Sequence, residues 1–205
     1  MTEALILFSI ATMGLALSPG PDNIYVLTQS ITNGTSYGIA TTAGLISGCI
    51  VHTTLVAFGV SAILVASESL FLGIKIAGAL YLLYLAFRVY KSENTLNISS
   101  EGAVSRSHLQ LFKRGVIMNL LNPKVTIFFM AFFPAFLWDK DGNTIYQFYV
   151  LGIVFMIISF TIFSVIAILS GRISVYLRKQ DNVQVILKWL QIVVFVGIAI
   201  FLFLP

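Results

Sequence analysis

Apolar stretches separated by short polar turns run the length of the chain. A helix that crosses a bilayer needs roughly 20 mostly apolar residues. Six stretches meet that need, at about residues 3–31, 37–66, 70–89, 114–138, 145–170 and 185–204. Asn33-Gly34-Thr35-Ser36, Ser67-Glu68-Ser69 and Asp139-Lys140-Asp141-Gly142-Asn143 read as turns, the last rich in helix breakers. One long polar connection, residues 91–113, separates the third stretch from the fourth. No extramembrane domain is expected beside these segments.

Two of the stretches are interrupted. Ser18-Pro19-Gly20-Pro21-Asp22-Asn23 sits inside the first, and Asn119-Leu120-Leu121-Asn122-Pro123-Lys124 inside the fourth. Proline removes a backbone donor and clashes with the preceding turn, so neither helix continues through its motif. Pro21 and Pro123 each suit the first position of a new helix. Gly20 and Asn122 suit the cap before it, and Pro19, Gly20, Pro21 and Pro123 are the helix-breaking residues. Broken backbone and charge at membrane depth are tolerated only where they face protein or a cavity. The two interruptions are therefore expected to face each other and form the working site. An odd number of spans per half makes the halves inverted, a recurrent transporter design with broken helices at the interface. The pattern predicts an all-α integral membrane protein: six transmembrane helices as two inverted three-helix repeats, with helices 1 and 4 broken. The whole chain, 1–205, forms one transmembrane domain, with halves at about 1–90 and 114–205.

Composition agrees with this picture. The 205 residues are 58% apolar and 10% charged, against about 25% charged in soluble domains. The net charge of +4 comes from the connections and is not a nucleic-acid signal. Lys91, Arg106, Lys113 and Arg114, with Arg88 at the edge, lie between the third and fourth spans. Arg172, Arg178, Lys179 and Lys188 lie between the fifth and sixth. Basic connections stay inside, so 91–113 and 171–184 are expected on the cytoplasmic face of a bacterial inner membrane. The opposite side carries little beyond Lys140, flanked by Asp139 and Asp141. Before Asp22 the only charged side chain is Glu3, so the first span lacks the basic start of a signal peptide and is expected to be retained. Whether residues 1–31 cross or re-enter stays open.

Asp22 and Lys124 fall in the first turns of their new helices. The helix dipole favours a carboxylate there and disfavours an ammonium, so Lys124 makes a pocket that wants an anion. Together they complement a zwitterionic amino acid, with Asn23, Asn119 and Asn122 as further polar contacts. Alternatively Asp22 and Lys124 simply pair and lock the halves. Ala40, Gly44, Gly48 and His52 recur at four-residue spacing in the second span. The first three form a small-residue packing face, used within the chain or in a homodimer. His52 is either a satisfied buried histidine or, with Asp22, a proton-coupling group. Lys75 either snorkels to the interface or lines the route. Trp138, Tyr146 and Tyr149 suit an interfacial aromatic belt. No cofactor motif, paired-histidine metal motif or nucleophile–base set is present, so no enzyme is expected. The single Cys49 excludes an internal disulfide. A metal exporter using Asp22, Cys49 and His52 is the alternative function.

These motifs together resemble the LysE/RhtB family of bacterial amino-acid exporters. The resemblance rests on residues 18–23, on Gly38 through Gly59 with Gly44, Gly48 and His52, on Lys75 through Leu85, and on Phe112 through Pro134. It implies a cytoplasmic-membrane exporter of amino acids or their derivatives, driven by the proton gradient. The RhtB-like branch implies neutral substrates such as homoserine, threonine or leucine. The residues themselves offer no second acidic group for a basic side chain.

Overall fold

The computed structural model describes residues 1–62, 67–92, 107–139, 142–172 and 181–203, and among them the regular structure is all helical. Residues 93–106 of the long connection, Lys140, Asp141, Arg178, Lys179 and the end of the sixth span at Leu204 lie outside the described residues.

The first broken segment is α1 (Thr2–Leu17) followed by α2 (Pro21–Asn33), bent by 58° at the proline motif. Gly34 then turns the chain alone. Its φ of 108° lies where glycine is at ease and other residues are not. The turn is thus shorter than the four residues expected, and α3 (Thr35–Leu55) starts within it. A π-helical segment, Val56–Val60, extends α3. Ser67 caps α4 (Glu68–Lys91), its Oγ accepting from Leu70 N at 3.3 Å.

The second broken segment begins earlier than expected, at His108 instead of Arg114. Ser107 and Gln110 form a capping box, each side chain accepting from the other's backbone N–H at 3.3 and 2.9 Å, which satisfies donors at the helix start. α5 (His108–Leu120) and α6 (Pro123–Ile127) meet at a 52° bend. A π-helical stretch, Phe128–Phe132, and a 3-10 turn, Phe133–Phe136, complete the arm. Pro134 sits in the first positions of that 3-10 turn. Asn143 caps α7 (Thr144–Ile168) by accepting from Tyr146 N at 2.9 Å. The last helix is α8 (Asp181–Phe201).

α3 with its π-helical continuation (Thr35–Val60), α4 from Ser69 onward and α7 are each long and apolar enough to cross a bilayer, and each bent pair passes the same test as a unit. Val185–Phe201 is a shorter apolar helix. Half of the α3 span is buried, against 33% for α7 and 22% for α4. α3 therefore runs through the middle and α4 along the edge. α4 turns Leu72, Leu80, Leu83 and Phe87 outward, and α7 turns Ile153 and Ile157 outward. Such apolar outer faces suit lipid. The interior is packed with aromatic rings: Phe8, Phe128, Phe129, Phe132 and Phe133 are fully buried. Phe129 stacks on Phe133 with centroids 4.1 Å apart, and Phe8 meets Phe133 edge-on at 4.9 Å.

The closest packing is between α3 and α5. A Cβ on Gly44 would run into the Phe112 carbonyl, and one on Gly115 would lie 2.5 Å from the Thr41 carbonyl. Both obstacles are backbone and cannot yield. The Gly44–Gly48 face is thus occupied inside the chain, while Ala40 at its end is only half-buried. We expect Gly44→Ala to lower the melting temperature of the purified protein, since overpacking costs about 1–3 kcal/mol. Gly73→Ala, where a Cβ meets nothing within 4 Å, should leave it unchanged or raise it. Equal melting of the two variants would contradict this account of the interface.

Candidate functional site

The two helix breaks come together halfway along α3. Gly48 stands at the midpoint of the Thr35–Val60 span, and a Cβ there would lie 2.5 Å from Asn119 Oδ1. Asn119 ends α5 just before the second break. On the first break, Gly20 faces the other arm so closely that a Cβ would lie 3.6 Å from Lys124 Nζ.

Asn122 joins the breaks. As the cap of α6, its Oδ1 accepts from Lys124 N at 3.0 Å. Its Nδ2 donates to Asp22 Oδ2 at 2.8 Å. One side chain thus starts the second half-helix and holds the carboxylate of the first. Asp22 is 8% exposed.

Lys124 solves its dipole problem by reaching away from its own helix. Its Nζ donates to the carbonyls of Leu15 and Ser18, both at 3.4 Å. These lie at the C-terminal end of α1, where a cation is favoured. The ammonium also sits over the Phe195 ring of α8, 5.2 Å from its centroid. Among the described residues no direct ion pair joins Asp22 to Lys124. Each charge is held by neutral groups within the same cavity.

The other expected site residues divide between lining and support. Asn23 lines the cavity, but its Nδ2 also donates to Ala16 O at 2.7 Å, tying α2 back to α1. Asn119 lines the cavity and exchanges contacts with Cys49, its Nδ2 standing 3.5 Å from Sγ. His52 stands behind it. His52 Nε2 lies 3.2 Å from the Asn119 carbonyl, and a carbonyl only accepts, so Nε2 carries a proton. The imidazole also packs on Phe129 at 5.4 Å. His52 and Asn122 support the site without lining the cavity, and Pro19, Pro21 and Pro123 shape its backbone. Lys75 lies half-buried over the Phe71 ring at 5.6 Å and is not a lining residue. Gly78 packs against Ala131.

The cavity itself measures about 30 Å³. That holds water and nothing larger. Among the described residues Asp22 is its only acidic lining residue. Among the described residues no three His, Cys, Asp or Glu side chains gather into a metal site. The sequence reading missed one polar lining residue, Ser159 of α7, which is 3% exposed. A lone hydroxyl inside the apolar run Met156-Ile157-Ile158-Ser159-Phe160 was the available signal, since polar groups in such runs are often functional.

Comparison of the sequence with known proteins places the chain in a family. The sequence pattern of the LysE type translocators matches residues 13–204. The chain belongs to the LysE type translocator family. It is 30% identical over 174 residues to the homoserine/homoserine lactone efflux protein of Salmonella typhimurium, which covers 85% of this chain and 84% of that one. The protein of the same name from Salmonella typhi matches with the same identity and coverage. No solved structure matches the chain. The chain is thus a multi-pass membrane translocator and not an enzyme.

Proposed function

We propose that this translocator exports small neutral amino acids or their derivatives from the bacterial cytoplasm, coupled to the proton gradient. The observation that carries the proposal is the pair of opposite charges, Asp22 and Lys124, in one cavity with no direct bond between them. An α-ammonium replaces Asn122 as the partner of Asp22. An α-carboxylate draws Lys124 off the end of α1. With Asp22 the only acid lining the cavity, a basic side chain finds no partner. Homoserine, one of the two compounds in the names of the relatives, is of that class.

Export by this route needs the cavity to open, because ligand pockets measure several hundred Å³. Substrate entry breaks the contact between Lys124 and α1, so loading the site frees one half-helix to move. The π-helical segments Val56–Val60 and Phe128–Phe132, a feature frequent at functional sites, are the joints for that movement. We assign proton coupling to Asp22 with His52, which reaches the site through the Asn119 carbonyl.

The packing supports two inverted halves, about 1–90 and 114–205, with six spans. Exchanging the halves turns the seam of α4 with the second arm into that of α8 with the first. At the former Gly78 packs on Ala131. At the latter a Cβ on Gly14 would lie 3.2 Å from Val194. α3 and α7 pack on each other, as do α4 and α8. Residues 1–31 cross as one bent span in this arrangement. Lys188 Nζ donates to Ser92 O at 2.7 Å, and His108 Nε2 meets Ser36 Oγ at 3.1 Å. The first contact supports placing 91–113 and 171–184 on one face, the second puts the Gly34 turn on that face too, and we assign it to the cytoplasm.

Thermal unfolding of the purified protein across an amino-acid panel tests the substrate class. Homoserine, threonine or leucine at a hundred times its Kd should add about 2.7 kcal/mol of apparent stability. Their N-acetyl and amide derivatives, each lacking one charge, should add little. Stabilisation by lysine equal to that by neutral amino acids, or by none of the panel, would overturn the proposal.

A further inference from the structure

Several hydroxyls on these helices, buried or exposed, satisfy themselves. Ser30, Thr41, Ser47, Thr53 and Thr161 each donate to the carbonyl one turn earlier, at 2.8–2.9 Å. Ser159 does not, although Thr161 beside it on α7 does. Its Oγ is buried and has no hydrogen-bond partner among the described residues. Other hydroxyls share that condition, among them Thr12, Ser18 and Thr42, yet of these orphaned groups Ser159 alone lines the cavity that holds Asp22 and Lys124.

Its surroundings narrow what it can meet. Phe155 and Phe163, one turn to either side on α7, line the same cavity. Asn119 is engaged with Cys49, and Asn23 with Ala16. The α7 wall is therefore apolar except for one uncommitted hydroxyl. Leaving such a group unpaired is unfavourable, and a ligand with a matching group recovers that loss on entry.

We infer that Ser159 is the specificity-determining residue of the site: its hydroxyl pairs with a hydroxyl on the side chain of a short neutral amino acid, between the Phe155 and Phe163 rings. The inference rests on the proposed function, in which Asp22 and Lys124 hold the α-ammonium and α-carboxylate. Together the two make neutral amino acids bearing one side-chain hydroxyl the preferred substrates within that class.

The test compares L-homoserine with L-norvaline, which carries a methyl where homoserine has its hydroxyl. Affinities are measured on the full-length purified protein by ligand-dependent thermal unfolding. The natural protein should bind homoserine about tenfold more tightly, the worth of one buried hydrogen bond. Ser159→Ala should erase that ratio by weakening homoserine alone, with norvaline unchanged or tighter. Ser159→Cys, close in shape and a weak hydrogen-bonding group, should do the same, which separates loss of the hydroxyl from loss of packing.

An unchanged ratio in both variants would overturn the assignment. So would an equal loss for both ligands, the mark of a purely structural serine, or no initial preference for homoserine. The parent reading fails differently: neither amino acid stabilises the natural protein, and the Ser159 assignment falls with it.

Discussion

Export should fall to the background of cells lacking the translocator when Asp22 becomes asparagine, with the protein still folded in the membrane. The substitution is nearly isosteric. Asn122 Nδ2, now 2.8 Å from Asp22 Oδ2, keeps an acceptor in the new amide oxygen, so the link between the two breaks survives. What disappears is the negative charge. A hydrogen bond to a charged partner contributes about 1.5–3 kcal/mol, so a substrate ammonium binds roughly 10- to 150-fold more weakly. If Asp22 also carries the coupled proton, the remaining flux is no longer driven. The measurement is efflux of preloaded homoserine, with protein level and melting temperature as controls. Asp22→Glu should not rescue export, because a cavity of about 30 Å³ has no room for a longer side chain. Full export by Asp22→Asn would remove the carboxylate from the mechanism.

The breaks were legible because their chemistry is local. Pro21 and Pro123 each remove a backbone donor and clash with the preceding turn, an effect fixed by the residue itself. The identity of the partners across the breaks was not local. Asn122 reads as a cap, but that its other end holds Asp22 depends on how two arms distant in sequence fold together. Lys124 misleads for the same reason. Counted on its own helix it opposes the dipole, while its headgroup lies at the favourable end of α1. Ser159 was passed over because a serine in an apolar helix ordinarily bonds to the turn before it, and nothing in the letters says that this one does not.

Boundaries divide along similar lines. The start of α5 at His108 was available in Ser107 and Gln110, a capping box outweighed by the polar residues around it. The single-residue turn at Gly34 was not, because a positive φ follows from the packing of α2 against α3. The π-helical segments Val56–Val60 and Phe128–Phe132 also left no mark in the apolar pattern, since an extra residue per turn changes which face is buried without changing composition.

Replacing Lys124 should be as damaging to export, and the double variant with Asp22→Asn separates transport from scaffolding. Lys124→Met keeps the length of the stem and its contact with the Phe195 ring. It strips the donor from the carbonyls of Leu15 and Ser18 and leaves Asp22 as a lone buried charge. Removing one partner of a buried charge pair costs about 3–5 kcal/mol. Although these two do not touch, the same logic applies in weaker form inside one small cavity. Lys124→Met should therefore melt lower than the natural protein. Adding Asp22→Asn removes the uncompensated charge, so the double variant should regain part of that loss, a coupling expected for neighbouring groups. Export should not follow stability. If the two charges only locked the halves together, the neutral pair would restore transport along with melting temperature. If they grip the two ends of an amino acid, the double variant folds better than Lys124→Met and still exports nothing. Flux in proteoliposomes, set beside the melting temperature of each variant, tells these outcomes apart, because stability and transport then move in different directions.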